Sequence, residues 1–137
     1  MIIDATDLLI GRMSTVVAKK ALLGEKIDIV NCENAVISGT RSHVMEAYKI
    51  KRERRTTGGP FFPVMPDRFV RRTIRGMIPY KKPKGSPAYK RVMCYIGVPE
   101  QFKNSKLETI KEANVSKLPN LRFVKVGDIC KELGAKL

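Results

Sequence analysis

Four arginines recur at helical spacing within residues 66–79. They are Arg68, Arg71, Arg72 and Arg75. Positions i, i+3, i+4 and i+7 share one face of a helix, so this spacing would align four guanidinium groups in a row. The opposite face would carry the apolar side chains of Phe69, Val70, Ile74, Met77 and Ile78. The stretch therefore predicts a helix with an apolar side for a protein core and a cationic side for a polyanion.

The ends of this helix are also marked. Pro66 suits a first helical turn, Asp67 places a carboxylate near the positive end of the helix dipole, and Pro79 bars continuation. No acidic residue follows Asp67 within the stretch, although surface helices usually mix both signs of charge. Like charges at this spacing repel by roughly a few tenths of a kcal/mol per pair, which bound RNA would relieve. The simpler alternative is a solvated amphipathic helix.

Positive charge is concentrated in the middle of the chain. The 137 residues include 27 lysines and arginines against 13 aspartates and glutamates, a formal net charge of +14. Residues 41–91 contain 15 of the basic residues and only 3 of the acidic ones. This asymmetry favours nucleic acid as the partner, with an anionic membrane surface as the second alternative.

Basic residues flank the arginine stretch on both sides. The candidate RNA contacts there are Arg41, Lys49, Arg52, Arg54, Arg55, Lys81, Lys82, Lys84, Lys90 and Arg91. A helix is predicted over residues 41–54, whereas residues 56–63 and 80–91 contain the glycines and prolines typical of loops. Phe61 and Phe62 could either stack on unpaired bases or pack on the protein.

The rest of the chain predicts an α/β fold. Apolar runs predict strands over residues 1–5, 26–31, 92–96 and 121–126. Helical patterns cover residues 11–24 and 128–133, whereas residues 97–116 favour neither type of element. A strand, a helix and a strand within about thirty residues indicate a βαβ unit and hence a parallel sheet. We expect one domain, residues 1–137, with a buried hydrophobic core.

Residues that could perform catalysis are sparse and scattered. Cys32, Cys94 and Cys130 lie far apart in apolar runs, so we interpret them as buried free thiols of a reducing compartment. His43 is the single histidine and has no carboxylate or thiol at ligand spacing. Neither a dinucleotide fingerprint nor a phosphate-binding P-loop is present. The sequence therefore predicts a protein that needs neither a cofactor nor a metal.

One enzymatic alternative, an RNA-processing or nucleotide-binding enzyme on a doubly wound sheet, stays open on the residues alone. Asp7, Asn31 or Glu33 could line a nucleotide pocket at the carboxyl ends of the strands, as in enzymes with a doubly wound sheet. Residues of these types more often cap helices and stabilise turns. The apolar runs are too short for a membrane span, and no signal peptide is recognisable, so we expect a soluble intracellular protein.

Five short segments resemble, in order and in spacing, the L13 family of large-subunit ribosomal proteins. They are Asp-Ala at 4–5, Leu-Ile-Gly-Arg-Met-Ser at 9–14, Ile-Val-Asn-Cys-Glu at 29–33, Ile-Ser-Gly at 37–39 and Arg-Gly-Met-Ile-Pro at 75–79. The last segment, which follows a basic amphipathic helix, is the most specific. Gly-Val-Pro at 97–99 resembles the archaeal and eukaryotic branch, and the histidine-bearing motif of the bacterial branch is missing from this sequence.

The resemblance implies a three-layer α/β/α domain around a four-stranded, mainly parallel sheet with basic loop extensions. It implies a structural protein of the cytoplasmic ribosome, without catalytic activity, that is embedded in large-subunit ribosomal RNA and acts early in subunit assembly. The RNA-facing positions would be the four arginines and the basic flanks, with neighbouring ribosomal proteins as further partners. No membrane, small-molecule substrate or obligate homo-oligomer is expected.

Overall fold

Strands and helices are interspersed along the chain, which confirms the expected mixed α/β class. The computed structural model describes residues 1–54, 58–59 and 61–136. In chain order its elements are β1 (Ile2–Asp4), α1 (Ile10–Leu22), β2 (Ile27–Val30), β3 (Val36–Ser38), α2 (Arg41–Glu53), α3 (Pro66–Arg75), α4 (Gly85–Lys90), β4 (Val92–Cys94), β5 (Phe123–Lys125) and α5 (Val126–Glu132). Strand β3 and helix α4 are elements that the sequence does not predict.

The strands form two small sheets, so the expectation of one four-stranded sheet is not met. Parallel strands lie in the order β1-β2-β4, with Ile29 opposite Ile3 on one side and Cys94 on the other. Strands β3 and β5 pair antiparallel as a separate sheet. The chain changes direction after β2, because Asn31 adopts left-handed backbone angles (φ 57°) and a 3-10 turn follows at Cys32–Asn34.

Helix α1 forms the crossover of the βαβ unit. Met13, Val17 and Ala21 recur every four residues along it and are fully buried. The chain leaves α1 at Gly24, whose φ of +102° is a left-handed conformation that glycine adopts without a Cβ clash. This local geometry returns the chain to the sheet, where β2 pairs with β1.

Helix α3 packs its apolar side into the core as its periodicity predicts. Phe69, Val70 and Ile74 are at most 1% exposed, and α3 contacts α1, β4 and α5. Ile78 is also buried, but Met77 is 42% exposed. Both residues follow the end of the helix, where the chain turns and no longer keeps the helical spacing on which the prediction for Met77 relied.

Arg71 anchors α3 to the backbone at the start of β4 and just before it. Its Nε donates a hydrogen bond to the carbonyl oxygen of Val92 at 2.9 Å, and its Nη2 donates to that of Tyr89 at 3.3 Å. The guanidinium carbon also lies 4.0 Å from the centre of the Tyr89 ring. Arg71 is half-buried, so it contributes to the fold as well as to the cationic side of α3.

Residues 80–91 are more ordered than the sequence predicts. They include helix α4, which contacts α1 and buries Gly85 and Ala88. The backbone of Gly85 passes so close to the carbonyl group of Pro79 that a Cβ at position 85 would overlap it. A helix of six residues without an apolar stripe gives no periodic signal, which explains why the sequence predicts a loop here.

Residues 97–117 extend the parallel sheet and then form short turns. The N–H of Asp4 donates to the carbonyl oxygen of Glu108, and the N–H of Glu108 donates to that of Ile2, both at 2.8 Å. Single 3-10 turns lie at Glu100–Phe102, Lys111–Ala113 and Val115–Lys117. Across the described residues, no helix is both long enough and apolar enough to cross a membrane.

The three cysteines are buried free thiols, as the sequence predicts. All three belong to the apolar core that joins the strands to α1, α3 and α5. A hydrogen bond with Cys32, together with burial, raises the pKa of the Cys94 thiol well above its ordinary value. Burial and the nearby Asp67 carboxylate raise the pKa of Cys130 from 9.0 to about 12. Both thiols are therefore neutral in the folded chain at physiological pH.

We expect Gly85→Ala to lower the free energy of unfolding by roughly 1–3 kcal/mol, because the added Cβ forces the Pro79 backbone to shift. Urea unfolding followed by circular dichroism measures the change. Gly11→Ala is the matched control, since a Cβ there meets no atom within 4 Å and alanine favours the helix. Equal stability of Gly85→Ala and the parent would contradict the close approach.

We expect Arg71→Lys to lower the free energy of unfolding by roughly 1–3 kcal/mol, since lysine keeps the charge but cannot reproduce the two hydrogen bonds and the stacking. Arg68→Lys is the control and should change stability by less than about 0.5 kcal/mol, because Arg68 is exposed. Equal losses in the two variants would show that Arg71 does not anchor α3.

At pH 8 we expect a thiol reagent to leave the native chain largely unmodified and to label all three cysteines in guanidinium chloride. The pKa of Cys130 is higher in the folded chain than in the unfolded chain, so raising the pH destabilises the fold through this thiol. The contribution of Cys130 to the free energy of unfolding is complete below about pH 9 and is lost as pH rises towards 12. Cys130→Ala should accordingly show a shallower loss of stability over this range. Rapid native labelling of all three thiols would contradict the buried placement.

Candidate nucleic-acid interface

The cationic side of α3 faces outward because its apolar side is buried. Arg68 and Arg72 are exposed, and Arg75 is half-buried. Pro66 occupies the first turn, and Asp67 lies beside the positive end of the helix dipole. The last turn contains Arg72 and Arg75, where the dipole favours cations. Local sequence and core packing thus agree on the orientation of the row.

Three of the four arginines of α3 lie over aromatic rings. The pairs, with the distance from guanidinium carbon to ring centre, are Arg71 with Tyr89 (4.0 Å), Arg72 with Phe62 (4.8 Å) and Arg75 with Tyr80 (4.8 Å). Stacking restrains a guanidinium group and leaves the N–H donors at its edge available, although Arg71 already uses two of its donors on backbone carbonyl groups. The row is therefore a set of restrained guanidinium groups, each of which can bind two phosphate oxygens.

Phe62 packs on the protein, which is one of the two roles that the sequence leaves open. Its ring centre lies 5.6 Å from that of Phe69 and 5.8 Å from that of Tyr48. Its carbonyl oxygen accepts a hydrogen bond from Nη1 of Arg52 at 3.0 Å. These contacts hold the segment before α3 against α2. The neighbouring Phe61 is 50% exposed.

A groove of about 350 Å³ lies beside the arginine row. We call it the arginine groove; its walls are the four arginines of α3 together with Phe61, Pro63 and Tyr89. No acidic side chain is among the described residues that line it. A cleft with cationic and aromatic walls can neutralise phosphate groups and can also offer a surface for stacking.

The other candidate contacts differ in their surroundings. The side chains of one group are exposed: Arg54, Lys81, Lys82, Lys84 and Lys90. Arg41 and Lys49 lie near carboxylates of α5, with Arg41 3.7 Å from Asp128 and Lys49 3.6 Å from Glu132. These ion pairs are solvent-exposed and hence weak, so both cations can be redirected to phosphate. Arg55 lies outside the described residues.

Arg52, Arg71 and Arg91 each donate hydrogen bonds to the backbone of the protein. The Nη1 of Arg91 donates to the carbonyl oxygen of Ala21 at 3.0 Å, which joins the chain before β4 to α1. A guanidinium group has five N–H donors, so these bonds leave further donors on each side chain. The three arginines are thus structural anchors with spare donors, in contrast to the exposed Arg68 and Arg72.

Sequence reasoning missed the pairing of Tyr80 and Tyr89 with arginines. The mixture of aromatic and basic residues is visible in the sequence, but the partner of each ring depends on the turn after α3 and on α4. A tyrosine beside a basic cluster is the available signal, and it does not identify which guanidinium group the ring contacts.

Two of the three polar residues of the enzymatic alternative, Asn31 and Glu33, form structural side-chain bonds. The third, Asp7, adopts left-handed backbone angles (φ 59°), and its backbone N–H donates to the carbonyl oxygen of Asn34. Nδ2 of Asn31 donates to Oδ1 of Asp4 at 3.0 Å, and Oε2 of Glu33 accepts from the N–H of Gly97 at 3.0 Å. Burial alone would raise the pKa of Asp4, but hydrogen bonds from Thr6 and Asn31 hold it below its ordinary value. These are the capping and turn roles expected of such residues.

Metal-ligating side chains do not cluster in the part of the chain that the structure describes. His43 is exposed on α2. The described residues therefore concentrate their binding chemistry on one cationic and aromatic surface around α3.

Comparison with known proteins places the chain in a family. The family model described as Ribosomal protein L13 matches residues 1–101. Three similar archaeal proteins carry the name Large ribosomal subunit protein uL13. The protein of Methanosarcina barkeri (strain Fusaro / DSM 804) is 43% identical over 137 residues, which cover 98% of each chain.

The two other relatives give the same result. The protein of Methanococcoides burtonii is 40% identical, with 98% of each chain covered. The protein of Natronomonas pharaonis is 38% identical, with 100% of this chain and 92% of the relative covered. Both the family model and the near-complete coverage agree with the resemblance seen in the short motifs. The chain therefore belongs to the ribosomal protein L13 family.

Proposed function

We propose that this chain is a structural constituent of the large ribosomal subunit and binds its ribosomal RNA through the arginine groove and the basic flanks. The observation that carries the proposal is the row of guanidinium groups on α3, three of them stacked on aromatic rings beside a groove without acidic walls. Membership of a family of structural ribosomal proteins bears out the expectation that the chain is not an enzyme.

The geometry suits RNA phosphates for a physical reason. Planar guanidinium groups bind two phosphate oxygens at once, and their ordering is partly complete before binding because the rings already restrain them. The exposed lysines of residues 81–90 and Arg54 add charge at positions that follow and precede α3 in the chain. In this mechanism the basic surface neutralises phosphates where RNA helices converge, and the folded α/β core holds that surface in place.

The same proposal covers assembly and partners. A surface that joins converging RNA helices acts best before the subunit has compacted, so we place the chain early in assembly in the cytoplasm. Neighbouring large-subunit proteins are its further partners, and the chain acts as a single copy forming one domain. Salt dependence is the signature of such binding, because each neutralised phosphate releases counterions.

We expect the triple variant Arg68→Gln, Arg72→Gln, Arg75→Gln to bind purified large-subunit ribosomal RNA more weakly and with less dependence on salt. Three lost phosphate contacts should reduce the slope of log affinity against log salt by roughly 2 to 3. Filter binding over a salt series measures the slope, and circular dichroism checks that the variant is folded.

The matched control removes the same charge elsewhere. Lys103, Lys106 and Lys111 are exposed, and none of them lines the arginine groove. Lys106 and Lys111 flank Glu108, whose backbone pairs with β1, whereas α3 contacts β4 at the opposite edge of the parallel sheet. The triple change of these lysines to glutamine should leave the slope close to that of the parent. Equal slopes for the two triple variants would mean that overall charge, and not the arginine groove, governs RNA binding.

A further inference from the structure

Phe61 exposes its aromatic ring, whereas the next residue, Phe62, packs its ring on the protein. The adjacent Phe62 is held between Tyr48 and Phe69 and through the hydrogen bond from Arg52 to its carbonyl oxygen. Phe61 is therefore anchored through its neighbour, yet its side chain is 50% exposed. An anchored but exposed phenylalanine keeps apolar surface in water, and a ligand that covered its ring would gain the free energy of burying that surface.

The surroundings of Phe61 restrict what that ligand can be. The ring lines the arginine groove, whose other walls include the exposed cations Arg68 and Arg72. The guanidinium carbon of Arg52 lies 5.6 Å from the ring centre and can cover only one of the two ring faces. Tyr89, the other aromatic ring of the groove, is already stacked with Arg71. A ligand here must bring a flat apolar face together with negative charge.

A nucleotide whose base has left the helical stack combines these two properties. In a continuous RNA duplex the bases are stacked on each other, so a duplex would present its backbone and base edges to the groove but no free base face. An apolar side chain of a partner protein would match the ring but not the surrounding cations. Base stacking on an aromatic side chain beside phosphate-binding arginines is a general mode of single-strand recognition.

We propose that the arginine groove binds one unpaired nucleotide of RNA, with the base stacked on Phe61 and the adjoining phosphates held by Arg68 and Arg72. This inference rests on the proposed function, because it requires that the surface bind RNA. It adds a preference: the surface selects RNA at a bulge or loop, where a base is free, over a continuous helix.

The test uses two RNA hairpins with the same paired stem, both closed by an ethylene-glycol linker so that neither has loop bases; one is fully paired and the other carries a single bulged 2-aminopurine. We expect the parent chain to prefer the bulged hairpin and to quench its 2-aminopurine fluorescence through stacking. Phe61→Ala should reduce that preference roughly 5- to 150-fold, the range for loss of one aromatic–base stack, and abolish the quenching. Affinity for the paired hairpin and its salt dependence should stay unchanged.

Two controls separate stacking from general effects. Phe61→Tyr retains an aromatic ring and should keep both the preference and the quenching. Leu121→Ala removes an apolar side chain that is 90% exposed and does not line the groove, and it should behave as the parent. Circular dichroism confirms that each variant is folded.

The contrary outcomes are distinguishable. If the parent binds both hairpins equally, or if Phe61→Ala keeps the preference, the nucleotide site is overturned while arginine-mediated RNA binding stands. If the parent shows no salt-dependent binding to either hairpin or to large-subunit ribosomal RNA, the proposed function itself fails.

Discussion

Burial of the apolar side of α3 is the constraint on which the candidate surface depends. Phe69, Val70 and Ile74 are at most 1% exposed, and each contributes roughly 1.5–3 kcal/mol by leaving water. A helix rotates about its axis as a unit, so these three side chains also fix the direction of every other residue on it. A rotation of one residue would push a guanidinium group into the core at a large desolvation cost. The outward row of arginines is thus a consequence of core packing.

The four arginines of α3 do not have one common role. Arg71 binds backbone carbonyl groups around β4, whereas Arg72 and Arg75 rest on aromatic rings at the surface. The planar guanidinium group permits both uses, because it can stack on a ring and donate hydrogen bonds from its edge at the same time. The surface is consequently restrained before any ligand binds, which reduces the entropy lost on binding.

The ends of the parallel strands show why this α/β arrangement carries no evident reaction centre within its described residues. Asp4, Asn31 and Glu33 lie where ligands often bind in open parallel sheets, but their polar atoms bond with one another or with the backbone. Satisfied in this way, they stabilise the turns after β1 and β2. Binding chemistry is left to the side of the molecule formed by α3, the segment before it and α4.

The sequence by itself determined the βαβ unit, the amphipathic α3, the buried thiols and the concentration of positive charge, because these follow from local periodicity and composition. Tertiary structure alone decided the division into two sheets, helix α4 at Gly85 and the partners of Arg71 and Arg72. These features depend on residues that are separated in the chain and meet only after folding. Periodicity states which face of an element is apolar, but it carries no information about the group that this face or a neighbouring arginine will contact.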